Sequence, residues 1–157
     1  MARFRISLLA LISTVVLSGC GSDDGLGRRY AVSGTITYKG QPLEKGAITF
    51  YPVTPDPKGV NNGANAAIVG GKYQLSTRGD SDGAFEGEYV VAIESKDVDM
   101  TAAKSGVKAG SFKQDDVSKA YRKAKSLIPL KYSIAETSGF KATVAARSNT
   151  INFDLVD

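Results

Sequence analysis

The sequence predicts an all-β fold: an antiparallel sandwich of about seven short strands, with one long loop carrying a short helix. Three observations lead there. Apolar and polar residues alternate with a period of two in one short segment after another. Glycine, proline and small polar residues punctuate those segments, the chain holding 17 glycines and 5 prolines. One long stretch, 96–138, breaks the pattern, and inside it apolar residues recur with a helical period.

YAVSGTITY (30–38) opens the series. Val32, Ile36 and Tyr38 share one face with Gly34 between them, and Ser33, Thr35 and Thr37 share the other, as in a half-buried strand. KGQPLEKG (39–46) turns the chain, with a tight reversal at Gly40-Gln41-Pro42 for which Pro42 presets φ. AITFYPV (47–53) is a second strand, ended by Pro52 and a proline-rich loop. NAAIV (65–69), Gly70-Gly71 and KYQLS (72–76) form a predicted hairpin. TRGDSDGAFEG (77–87) is a loop of glycines and acids. EYVVAIES (88–95) sets Tyr89, Val91 and Ile93 on one face. FKATVAA (140–146), a turn at 147–149 and TINFDLV (150–156) are expected to close the fold as a hairpin. Ile151, Phe153 and Leu155 then point one way, Asn152 and Asp154 the other.

Within 96–138, Val117, Ala120, Tyr121 and Ala124 follow i, i+3, i+4, i+7, with Asp115 and Asp116 before them and Lys123 and Lys125 after. That order suits the helix dipole and predicts a helix over 114–125. From Lys104 to Lys131, eight basic residues (Lys104, Lys108, Lys113, Lys119, Arg122, Lys123, Lys125, Lys131) stand against two acids, a net +6 over 28 residues. One reading is a solvated loop. The other is a contact with anionic lipid headgroups or acidic cell-surface polymers.

The whole chain carries 20 Lys+Arg and 16 Asp+Glu, a formal +4, too mild for a dedicated nucleic-acid binder. One cysteine permits no internal disulfide, and with no histidine a Cys/His zinc site is excluded. MARFR (1–5) is basic, and ISLLALISTVVL (6–17) is mostly apolar, the order of a secretory signal peptide. A membrane-spanning helix is the competing reading. Twelve helical residues reach about 18 Å, against roughly 30 Å of hydrocarbon. GSDDGLGRR (21–29) reads as a flexible tether, about 30 Å long at full stretch.

Chemistry is sparse. DSDG (80–83) invites calcium, but counting from Asp80, position five is Ala84 and position twelve is Val91, so the EF-hand pattern fails. A less regular site from Asp80, Asp82 and Glu86 competes with an Asx turn, in which aspartates bond their own backbone. RGD (78–80) is read as coincidence. Glu86 and Glu88 are two carboxylates without a visible pocket, and no histidine is present to activate a serine. No enzyme, resident metal or other cofactor is therefore expected, with a small hydrolase as the minor alternative.

Leu17-Ser18-Gly19-Cys20 resembles the lipobox of bacterial lipoproteins: Leu, a small residue, Gly or Ala, then Cys. The resemblance implies diacylglyceryl transfer to the Cys20 sulfur and cleavage before Cys20. The parts are then a signal peptide (1–19), a lipidated cysteine with its tether (20–29) and a β-sandwich domain (30–157). Gly21, where many inner-membrane lipoproteins carry Asp, implies the outer membrane rather than the inner. VSGTITYKGQPLEKGAITFYPV (32–53) is similar to the opening of the carboxypeptidase-regulatory-like, transthyretin-like β-sandwich. Val32, Gly34, Gly40, Pro42, Leu43, Gly46 and Phe50 hold the motif positions. GKYQLS, GEYVVAI and the IPLKYSIAETSG tail (128–139) extend the likeness over 30–157. It implies an accessory or adhesive module rather than a catalyst.

The expected function is a membrane-anchored, non-catalytic binding or scaffolding lipoprotein of the cell envelope, in the periplasm or facing the surface. A carbohydrate- or acidic-polymer-binding surface protein is the alternative. Its partners are the membrane, through the lipid anchor, and envelope proteins or polysaccharide, with no nucleic acid. Tyr132 is expected to bury its ring and bond backbone through its hydroxyl.

Overall fold

A computed structural model of the chain describes residues 27–54, 63–98 and 114–157. The lipobox residues Leu17, Ser18, Gly19 and Cys20 lie outside the described residues, as do Lys104, Lys108 and Lys113.

Period-two patterning becomes burial in β2 (Val32–Tyr38) and β4 (Lys45–Pro52), where Val32, Ile36, Ile48 and Phe50 are wholly buried. The other long strands are β5 (Ala64–Val69) and β8 (Gly87–Glu94). Shorter ones are β1 (Arg29–Tyr30), β3 (Gln41–Pro42), β6 (Lys72–Gln74), β7 (Ala84–Phe85), β9 (Lys96–Asp97), β10 (Lys125–Ser126), β11 (Lys141–Val144), β12 (Asn149–Thr150) and β13 (Phe153–Leu155). The helices are α1 (Gln114–Lys123) and α2 (Ala135–Ser138), the latter preceded by a 3-10 turn, Leu130–Ser133. The fold is all-β, as the sequence predicts. Nine strands form one curled sheet, ordered β11-β8-β4-β5-β6-β2-β12, with β13 and β3 also on β2.

The predicted β5–β6 hairpin is present. Gly70 (φ 54°) and Gly71 (φ 73°) form its two-residue turn, with the positive φ at both positions that a twisted hairpin requires. The first turn differs from expectation. Lys39 and Gly40 make the reversal, and Pro42 already lies in β3 opposite Thr37. A two-residue turn leaves no place for the proline at its corner.

The closing hairpin does not form. β11 runs antiparallel to β8, with Lys141 opposite Val90 and Val144 opposite Gly87. β12 and β13 instead run parallel to β2, with Asn149 opposite Val32 and Phe153 opposite Ile36. Asn149 turns the chain between the two edges. Its side-chain amide donates to the Ala145 carbonyl (3.1 Å), and its oxygen accepts from the Ala145 N–H (3.0 Å). The face predictions for 150–156 hold nonetheless: Phe153 and Leu155 are buried, and Asn152 and Asp154 are exposed.

Phe50 sits within a ring cluster with Tyr89 (5.6 Å between centroids), Phe153 (6.1 Å) and Tyr73 (6.4 Å). Such tilted and edge-on pairs add to the apolar burial. Phe140, just before β11, meets Phe153 of β13 at 5.1 Å, so the two ends of the curled sheet come together through side chains. Tyr132 stacks on Phe140 at 5.2 Å. Its hydroxyl donates to the Val156 carbonyl (2.9 Å) and accepts from the Val156 N–H (3.0 Å). The expected buried, backbone-bonded tyrosine is thus found, and it pins the end of β13.

The described parts of the 96–138 stretch, 96–98 and 114–138, hold strands that the sequence did not suggest. β9 and β10 pair with Lys125 opposite Asp97 and Ser126 opposite Lys96, closing the base of the long connection. The helix appears over Gln114–Lys123, two residues shorter than expected. At the other boundary Arg29, assigned to the tether by composition, belongs to β1 and pairs with Phe85. Among the described residues no helix is long and apolar enough to cross a membrane.

Candidate functional site

Strand direction divides the body into two ends. β2 runs from Val32 toward Tyr38, β8 from Gly87 toward Glu94, and β4 antiparallel to β8. One end therefore gathers β1, the 77–83 loop, the start of β8 and the 145–149 turn. The opposite end gathers Lys39, Lys45, β9, β10 and, through its link to β8, α1.

At the first end the acidic loop is organised by Asp82. Its carboxylate accepts from the N–H groups of Thr77 (2.7 Å), Gly79 (2.9 Å) and Arg78 (3.2 Å), and pairs with Arg29 Nε at 2.9 Å. This is the Asx-type bonding that competed with calcium in the sequence. Asp80 and Glu86 are exposed, and the described residues contain no group of three or more candidate ligands that includes them. Desolvation pushes the Asp82 carboxyl up, but the three N–H groups and Arg29 outweigh it and hold the group below its ordinary value. A depressed folded value stabilises the fold above the unfolded value, near 4, and that contribution is lost as pH falls through the folded value. Asp82→Asn is therefore expected to lower stability at neutral pH and to flatten its decline between about pH 5 and 3. Urea unfolding across that range checks it, and an unchanged pH slope rejects the role.

At the opposite end most cations have partners. Lys45 Nζ lies 2.8 Å from Asp97, Lys39 Nζ 2.5 Å from Asp157 and Lys96 Nζ 2.5 Å from Glu94. Tyr121 of α1 is clasped there: its hydroxyl donates to Glu94 (3.3 Å), and Lys96 Nζ stands 4.5 Å from its ring centre. These contacts tie the helix to β8 and β9. Lys119 is 4.0 Å from Asp116, and Lys131 lies over the Tyr132 ring at 4.9 Å. Arg122, Lys123 and Lys125 are exposed and form no ion pair among the described residues.

The outer face of β2, β5, β6 and β12 forms an open groove of about 720 Å³, walled by Thr35, Lys72, Gln74, Thr150 and Asn152. Asn152 Oδ1 accepts from the Thr35 N–H (2.8 Å) and hydroxyl (3.0 Å), and Thr37 donates to Asp154. None of the groove's lining residues is a carboxylate, and Glu86 and Glu88 lie elsewhere. The Thr–Asn and Thr–Asp ladder escaped the sequence reading. Both polar faces were legible, but nothing local said that these strands are neighbours.

Comparison with protein-family models, curated proteins and solved structures finds no match.

Proposed function

We propose that this chain is a non-catalytic binding or scaffolding module, held at a cell envelope by lipid on Cys20 and displaying its β-body on a short tether. One observation carries the reading: Leu17-Ser18-Gly19-Cys20 directly follows a basic start and an apolar run. The carboxypeptidase-regulatory-like resemblance of 30–157 supports an accessory role, and Gly21 favours the outer membrane. Each buried CH₂ contributes about 0.8 kcal/mol, so one chain holds marginally while two or three on one residue hold durably. β1 starts nine residues after Cys20, so the body stays within about 30 Å of the bilayer.

Fractionation of wild type beside Cys20→Ala tests this. The wild type is expected in the membrane fraction, with a mass increased by acyl chains. The variant is expected to lack that mass and to leave the membrane. Equal partition and equal mass of the two reject the anchor.

A further inference from the structure

We infer that β2 and the β12–β13 segment are a mechanical clamp: the body carries tension between its two ends through a parallel ladder loaded in shear. The clamp belongs to the fold and does not depend on a lipid anchor. β12 and β13 run parallel to β2, from Asn149 opposite Val32 to Leu155 opposite Tyr38. The chain therefore enters β2 at one end of the body and leaves β13 at the other. Seven residues at ~3.3 Å each put roughly 20 Å between the two points. A pull on the segment ahead of β1, against the end of β13, draws the two strands lengthwise past each other. Every rung then resists at once. Were the first and last strands antiparallel, both points would lie at one end, and the rungs would open one at a time.

The ladder is reinforced along its whole length. Backbone bonds run from the Asn149 N–H to the Ala31 carbonyl (2.8 Å), from the Ile151 N–H to the Ser33 carbonyl (2.9 Å) and from the Lys39 N–H to the Leu155 carbonyl (2.9 Å). Side chains add cross-ties. Asn152 Oδ1 accepts from both the N–H (2.8 Å) and the hydroxyl (3.0 Å) of Thr35, and Thr37 donates to Asp154. At the exit, Asp157 accepts from the Tyr38 hydroxyl (2.6 Å) and pairs with Lys39 (2.5 Å). Tyr132 holds both backbone groups of Val156. On its other side β2 is held by β6 and β3, so it cannot travel with β13. Each bond is weak alone; loaded together, they must break together.

A module that scaffolds or displays is pulled at its tether by whatever it holds. A ladder of this geometry transmits that pull without opening the core. β1 and the 77–83 loop, joined through Arg29 and Asp82, take no part in it.

Single-molecule pulling at constant load tests the clamp on the full chain, expressed without acylation. Cys20 is the only cysteine and serves as one handle, and a peptide tag appended after Asp157 is the other. In Cys20→Ala/Gln41→Cys the thiol moves to exposed Gln41, opposite Tyr38 at the exit end, so the same tag peels β13 from β2. Wild type pulled from Cys20 is expected to unfold about tenfold or more slowly than the Gln41→Cys variant at equal load. Asn152→Ala/Asp154→Ala, at two exposed positions, is expected to unfold about tenfold faster than wild type in the Cys20 direction, and Asp82→Asn less than about twofold faster. Equal rates in the two directions, or a ladder double variant no faster than Asp82→Asn, overturn the clamp.

Discussion

Phe50→Ala is expected to cost about 3–5 kcal/mol, a large share of the roughly 5–15 kcal/mol that holds a domain of this size. The side chain is wholly buried in the middle of β4. Its ring touches side chains from three other strands: Tyr89 of β8 at 5.6 Å, Phe153 of β13 at 6.1 Å and Tyr73 of β6 at 6.4 Å. Those strands are spread around the curled sheet, so no single neighbour can move in to fill the void. Lost transfer energy and an unfilled cavity add together. The urea midpoint, followed by circular dichroism, is expected to fall by about 2 M. A fall under about 0.3 M, typical of a surface change, rejects Phe50 as the centre of the core.

Gly34→Ala is expected to rank next, and for a different reason. A Cβ at this position would stand 1.7 Å from the Ile151 carbonyl oxygen and 3.0 Å from the Tyr73 ring. The obstacle is backbone and cannot swing aside. Either β2 or the segment between β12 and β13 must shift. That breaks the bond from the Ile151 N–H to the Ser33 carbonyl (2.9 Å) and the one from the Tyr73 hydroxyl to the Ile151 carbonyl (2.7 Å). The expected cost is roughly 3 kcal/mol or more. Gly70→Ala is the control. Nothing lies within 4 Å of its Cβ, and only the φ of 54° penalises it, by about 1 kcal/mol. Urea unfolding of both variants ranks them. Burial holds the Tyr73 hydroxyl well above its ordinary value. Alkaline titration should therefore show Tyr73 ionising earlier in Gly34→Ala than in Gly70→Ala. Equal costs in the two variants reject the close crossing at Gly34.

The faces of β2, β8 and β13 were legible because burial of alternate residues imposes a period of two wherever one side meets a core. The β5–β6 turn was legible because only glycine takes two positive φ values without penalty. The placement of Pro42 was missed, since Lys39 adopts a positive φ that its residue type does not advertise. Arg29 and Asp82 lie 53 positions apart, and nothing at either position names the other. The basic residues of α1 were counted as one run. The structure separates Lys119, 4.0 Å from Asp116, from Arg122 and Lys123, which form no ion pair among the described residues.

From its own letters the chain determined an all-β class, the faces of its strands, the helix in the long connection and the lipobox pattern at Cys20. These follow from local spacing, which carries periodicity, turn chemistry and short motifs. Tertiary structure decided that β12 and β13 join β2 in parallel rather than pairing with β11 as a hairpin, that Gly34 is where β2 meets the chain at Ile151, and which of the described cations find ion-pair partners. A strand with one apolar face packs equally well beside several partners. Only the closure of the whole sheet around Phe50, Phe153 and Tyr132 selects among them.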